Sequence, residues 1–389
     1  MSHLPPSLPA LINFTQRLVQ AQSLTGAEQT AVEVLAAEMR ALNFDKIVVD
    51  PAGSLIGIIE GSQPGPTLLL DGHCDTVPAN PADWQHDPWG GQVEGGRMFG
   101  RGTADMKASL AAMVHAAGSL DRGALRGRVA VSATVAEEVS EGGALRLVMD
   151  ELHPDAVVIG EATELNLNRG GRGRAEIEVT TFGRSAHSSS PQAGRCAVTD
   201  MLRVVQSLQA LPLGVHAELG PASLVLTDII SEPYPGRSVI PYRCRATFDR
   251  RLLPEDRVPS VLAEVNQRPG LDDVQYQARL AGLDESTYTG YQLRGDKFFP
   301  AWIYPESHPF VQTALRGLQS AGLQPSIGCY RFCTNAAYSA GIAGIPTIGF
   351  GIGREEDAHI TDESILVEDL LSAARGYQGI ITAFLNQLS

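Results

Sequence analysis

Four apolar runs in this chain stop abruptly in side chains that bind metals or protons. "TLLLDGHCDTV" places His73 and Asp75 directly after Leu68, Leu69 and Leu70. "RVAVSATVAEE" ends on Glu137 and Glu138, "DAVVIGEAT" carries Glu161, and "IPTIGFGIG" leads through a short loop to His359. Asp105 stands just ahead of the helix-like "ADMKASLAAMVHAAGSL". A set of His, Asp and Glu donors, with no Cys, suits Zn²⁺ and also Mn²⁺ or Co²⁺. That many carboxylates in one crevice would repel one another without cations. Two divalent ions about 3.5–4 Å apart, bridged by one carboxylate, would resolve the repulsion.

Each residue alone has a plainer reading. His73 could be a hydrogen-bonded core histidine, Glu137-Glu138 a solvated strand end, Asp105 or Glu161 a helix cap, and His359 simply exposed. Their joint occurrence at four strand ends argues for one site.

The elements that would position them follow from hydrophobic period. Residues 11–42 read as two helices around "SLTGAE", followed by strands at "KIVVD" and "SLIGIIEG". Strands then alternate with helices, including "GGALRLVMDEL", which implies a mostly parallel sheet covered on both faces. Sites in such sheets form beyond the carboxyl ends of the strands. The texture changes near "NRGGRGRAEIEVTTFG", where Ala175, Ile177 and Val179 alternate with polar residues. An α+β pattern with antiparallel strands continues from there. The α/β pattern returns with "PFVQTALRGLQSAG" and closes on the helix "LVEDLLSAARGYQGIITAFL". We therefore expect a discontinuous larger domain, residues 1–171 and 293–389, and an inserted domain, residues 172–292. The length of 389 residues fits two domains.

The net charge of -14 argues against nucleic-acid or anionic-membrane partners. No run of about 18 apolar residues predicts a membrane span, and "MSHLPPSLPALINF" lacks the pattern of a signal peptide. Five scattered cysteines suit reduced thiols in the cytoplasm. Cys329 and Cys333 lack further Cys or His at zinc-binding spacing.

Six ordered motifs carry a resemblance across nearly the whole chain. They are "LLLDGHCDTV", "MFGRGTADMKASLAAMVHAA", "ATVAEEVSEGG", "VIGEAT", "GRSAHSSSPQAGRCAV" and "GIPTIGFGIGREEDAHITDES". Together they resemble the ArgE/DapE/carboxypeptidase G/aminoacylase metallopeptidase family of dinuclear zinc hydrolases. "RGGRGRAEIEV", "DRRLLPED" and "FFPAWIYPESHP" look closest to its selenium-metabolism-linked hydrolase subgroup.

The resemblance implies a zinc-peptidase-like fold with an inserted α+β lid and dimerisation domain. It implies hydrolysis of an amide in an N-acyl amino acid or small peptide, two divalent metal ions (zinc first, with cobalt or manganese as alternatives) and a homodimer. His73, Asp105 and Glu161 would hold one ion, and Asp105, Glu138 and His359 the other. Glu137 would be the general base, Asp75 would orient His73, and His187 of "SAHSS" would reach the substrate oxyanion. The peptide after Asp105 is often cis in this family. Arg251, in a D-x-R-x-x-P pattern, is a candidate for a substrate carboxylate, with a salt bridge as the alternative. Asn335 stands where Asp is common, Ser238 where many members have Asn, and Ile352 where Pro is frequent; the first two bear on the substrate pocket. A non-catalytic binding protein is the alternative reading, disfavoured because it would have no use for Glu137.

Overall fold

The computed structural model describes residues 5–386. The first four and last three residues of the expected larger domain lie outside them, and with them the start of "MSHLPPSLPALINF".

A nine-stranded sheet forms the backbone of the larger unit. Its centre is parallel: Arg126–Thr134, Gln63–His73, Ala156–Ile159 and Thr347–Gly349 lie side by side and run the same way. The flanks are mixed. Lys46–Val49 and Leu55–Glu60 extend one side antiparallel. Leu167–Gly171 joins antiparallel on the other and pairs with Trp302–Ile303 and Ile327–Tyr330. The expected mostly parallel central sheet is therefore present, with antiparallel additions at its edges.

Strand side chains alternate between faces, and both faces are dry. Leu68 and Leu70 pack with the helices Leu8–Gln20, Gln29–Ala41, Ala108–Gly118, Pro309–Ser320 and Val367–Leu385. Leu69 points the other way, into a cluster with the helix Gly143–Leu152 and with Trp302 and Tyr330. Burial on both sides explains why "TLLL" carries no polar alternation. The register fixes where these strands stop: His73 lies opposite Thr134, and Ile159 opposite both Asp71 and Gly349. All four carboxyl ends thus open on one edge.

The second unit is an antiparallel sheet of five strands, Ser223–Glu232, Arg243–Leu252, Gly173–Phe182, Tyr276–Leu280 and Phe298–Phe299. Ala175, Ile177 and Val179 face the helices Ala197–Gln209 and Val258–Asn266, forming a core distinct from that of the larger unit. The chain does not pass cleanly between the two. The hairpin Gly282–Ser286/Gln292–Asp296 puts Leu283 and Leu293 against Ala136, and the Tyr288 hydroxyl donates to the carbonyl of Gly53 at 3.0 Å.

Candidate metal and catalytic site

His73 is the last residue of its strand and is 1% exposed. Its Nε2 lies 2.9 Å from Asp105 Oδ1 and 3.4 Å from Glu161 Oε1. Its Nδ1 lies 2.9 Å from the carbonyl oxygen of Asp75 and 3.5 Å from that residue's carboxylate. His359 approaches from the far loop, with Nε2 3.1 Å from both Asp105 Oδ2 and Glu138 Oε2. Asp105 therefore stands between the two imidazoles. The donor atoms of His73, Glu137 and Glu161 form one compact grouping, and those of His73, Asp105 and Glu138 another. Neither grouping includes a cysteine.

Two short turns present the acids. The first, Thr103–Lys107, follows Gly102, whose φ of 86° would strain any other residue. The Asp105-Met106 peptide is cis, as the resemblance implied. Glu363 holds this turn. It is 0% exposed, and Oε1 accepts from the amides of Ala104 (2.7 Å) and Asp105 (3.0 Å). Its Oε2 accepts from the amide of Gly102 (3.0 Å) and from Arg101 Nη1 (2.7 Å). The second turn, Glu137–Val139, follows Ala136 in the left-handed region. Here three successive amides donate to buried carboxylates: Ala136 to Glu28 (3.2 Å), Glu137 to Asp75 Oδ1 (3.1 Å) and Glu138 to Asp75 Oδ2 (3.2 Å). The hydroxyl of Thr25 donates to Asp75 as well, at 2.9 Å. Asp75 thus meets His73 through its carbonyl at 2.9 Å and its carboxylate at 3.5 Å, while that carboxylate also holds the Glu137 turn.

The electrostatics are those of concentrated negative charge. Burial pushes Glu137 well above the usual carboxylate range; His73 opposes this, and the charges of Glu161, Glu141 and Glu138 add to it. Burial also raises Glu161 strongly, reinforced by Asp105. His73 goes well up despite its burial, because Glu161, Asp105 and Asp75 favour its charged form. Hydrogen bonds to Asp105 and then Glu138 lift His359 to about 10. Asp105 goes well down although burial opposes it, because both imidazoles donate to it. Nitrogen and oxygen donors converging with excess negative charge fit divalent cations.

A cleft of about 430 Å³ opens over this cluster. Asp105, Glu137, Glu138, Glu161 and His359 line it, together with Glu141, Arg174, Asp249, Arg251, Arg331 and Glu355. Arg251 Nε is 2.9 Å from Asp249, so the salt bridge foreseen as its alternative is formed while the residue still borders the cleft. His187 is exposed and lies outside this lining; Ser189 donates to its Nδ1 from the amide (3.1 Å) and approaches it through the hydroxyl (2.8 Å).

Asn335 does not meet the expectation that it borders the substrate. It is 3% exposed, and its Nδ2 donates to Asp71 (2.8 Å) and to the hydroxyl of Thr134 (3.0 Å) while Oδ1 accepts from the amide of Gly142. Burial raises Asp71 to about 6, and neutral donors from Ser132 and Asn335 satisfy it. An amide at 335 is what such a neighbour needs; a second carboxylate there would repel it. Asn335→Ala is expected to lower stability by about 1–3 kcal/mol, the cost of an unsatisfied buried group, with KM unmoved; denaturant unfolding and steady-state kinetics check this.

The other departures also have local reasons. The Ile352 amide donates to Ser109 Oγ at 2.9 Å, a bond proline could not make. Ser238 adopts φ 55°, a region asparagine tolerates well, and its carbonyl accepts from Ser188 in the His187 loop.

Residues 69–383 match the family described as Peptidase family M20/M25/M40. The chain belongs to this family. It is thus a metal-dependent hydrolase of amide bonds, of the kind found in acyl amino acids and small peptides. Uncharacterized protein YgeY of Escherichia coli (strain K12) is 30% identical over 96% of this chain and 94% of its own length. A succinyl-diaminopimelate desuccinylase of Methylobacterium radiotolerans is 28% identical over 96% of this chain and 97% of its own. Among solved structures, the YxeP protein of Bacillus subtilis, described as a dinuclear metal-binding peptidase of the M20 family, superposes with a TM-score of 0.74. It is 15% identical and covers 98% of this chain and 99% of its own. No helix among the described residues of the M20 chain is long and apolar enough to cross a membrane.

Proposed function

We propose that this M20 hydrolase cleaves an N-acyl amino acid or a small peptide, with Glu137 as general base and two divalent ions, zinc first, at the strand ends. The convergence of His73, Asp105, Glu138, Glu161 and His359 carries the reading. His73, Asp105 and Glu161 would hold one ion; Asp105, Glu138 and His359 would hold the other, with Asp105 shared. Bound divalent cations lower the pKa of water toward about 7 and polarise a carbonyl.

The chain's own residues do the rest. Glu137 takes the proton of the attacking water and returns it to the leaving nitrogen. Asp75 and Glu28 fix the turn that aims it. Glu137 is near enough to the cluster to be a ligand itself, so metal content of its variant is the deciding measurement. Arg251 offers free guanidinium nitrogens to a substrate carboxylate. Residues 172–292 act as a lid, and His187 donates to the carbonyl oxygen as charge builds there. The succinyl group in the name of the desuccinylase relative is the first acyl group to test. A reducing, cytoplasmic setting suits the five free cysteines.

We further infer a homodimer. Ser223–Glu232 is an edge strand, and Val225, Ile229 and Ile230 are 53%, 44% and 38% exposed on it. A long edge with exposed apolar side chains invites pairing with a second copy across a two-fold axis. His187 would then serve the partner's site. Mixing His187→Ala with Glu137→Gln under subunit exchange is expected to restore part of the lost activity, because one mixed site has both groups. Exchange without recovery would assign His187 to its own subunit or to no catalytic role.

A further inference from the structure

Resting on the two-ion reading above, we propose that Asp362 is the positioning residue for His359, tying the loop that carries this histidine to a strap formed by residues 84–88. The two imidazoles of the cluster are held in different ways. His73 ends a strand buried on both faces, and its side chain is 1% exposed. The His359 side chain is 49% exposed, and Ile360 and Thr361 after it are exposed as well. Packing therefore does little to fix its ring. His359 and Asp362 also both adopt the left-handed region, at φ 63° and 54°. Residues other than glycine persist there only where their surroundings dictate it.

The Asp362 carboxylate supplies that constraint. Its Oδ1 accepts from the amides of Gln85 and His86, each at 3.0 Å, and its Oδ2 from Gln85 again at 3.3 Å. These bonds, the His86 amide first, hold the carboxyl below its ordinary range, so it stays a charged acceptor. The His86 Nδ1 lies 3.3 Å from the same Oδ1. The strap is itself anchored from the other side. The His86 ring stacks on Phe99 with centroids 3.8 Å apart, and its Nε2 lies 3.2 Å from Glu94. The Arg101 guanidinium sits over the Trp84 ring at 5.2 Å, and the carbonyl of Pro88 accepts from the Arg101 amide at 2.7 Å. Arg97–Phe99 pairs in turn with Ser364–Leu366. Two adjacent carboxylates thus divide one task. Glu363 bonds the amides of the Asp105 turn, and Asp362 bonds the strap that fixes the His359 loop. Asp105 and His359 are both donors to the second ion, so its retention depends on this pair.

The test reads metal affinity rather than turnover. Wild type, Asp362→Ala, Asp362→Asn, His359→Ala and the double variant Asp362→Ala/His359→Ala are loaded with Zn²⁺ and dialysed against chelator buffers of graded free Zn²⁺. Metal per chain is then measured. Wild type should release its ions in two steps. Asp362→Ala should move one step to about 10–100-fold higher free Zn²⁺, the usual effect of losing a group that orients a ligand, and leave the other in place. The step that moves should be the one His359→Ala abolishes. Asp362→Asn keeps an oxygen for the amides and should restore most of the loss. In the double variant Asp362→Ala should add nothing to the loss from His359→Ala, because it acts through that histidine. An equal shift of both steps, as general loosening would give, no shift of either, or an added loss in the double variant overturns the proposal. A single step in wild type refutes the two-ion reading instead, and the proposal is then decided on that step. It stands if Asp362→Ala and His359→Ala both move the step without adding, and falls if Asp362→Ala leaves it in place. Circular dichroism reports whether each variant folds. If Asp362→Ala does not, His86→Ala is read in its place; it removes the stacked ring but keeps the amides, and should move the same step by less, with no movement overturning the proposal.

Discussion

Glu137→Gln is expected to keep the fold and the metal content while kcat falls by about 10²-fold or more, the range of general acid–base catalysis. The amide fills the same space and preserves the backbone bonds that fix the turn: Ala136 to Glu28, and Glu137 and Glu138 to Asp75. What it loses is the ability to take a proton from water and return it to the leaving amine. Metal analysis and kcat on one preparation decide the matter. Retained metal with lost turnover makes Glu137 the base. Lost metal makes it a ligand, which its place in the grouping with His73 and Glu161 allows. Activity near wild type assigns the proton transfer elsewhere.

Asp105→Ala should have the larger effect. Asp105 lies between His73 and His359, at 2.9 and 3.1 Å, so its removal takes a donor from both halves of the cluster. Both metal ions and essentially all activity should be lost, measured as metal per chain after dialysis from excess Zn²⁺ or Co²⁺. The protein should still fold, since the Glu363 carboxylate bonds the turn through backbone amides that the substitution leaves in place. One tightly held ion surviving in Asp105→Ala would rule out the shared-carboxylate arrangement.

The donor cluster was legible in the sequence for a physical reason. A strand buried on both faces is a short unbroken apolar run, so His73, Glu137, Glu138 and Glu161 stand out where each run stops. Parallel register then carries those ends to one edge. The supporting carboxylates left no such trace. Glu363 acts by accepting backbone amides from residues about 260 positions earlier in the chain, and Glu28 does the same for Ala136; an acceptor of amides has no motif of its own. Asn335 misled for a related reason. Its departure from the commoner Asp suggested the pocket, whereas its side chain turns inward to Asp71, a partner 264 positions away.

The strand Thr347–Gly349 lies between Ala156–Ile159 and Leu167–Gly171, segments made far earlier. On the ribosome this leaves an interval in which Ala156–Ile159 has one completed neighbour, Gln63–His73, and a bare apolar edge on its other side. Such edges are sticky in nascent chains. The same late segment brings His359 and Glu363, so the sheet closes and the hydrolytic centre is completed in one event near the end of synthesis. An unfinished chain therefore carries the hazard of its open edge without the capacity to cut amides, and stalled translation products should aggregate rather than hydrolyse.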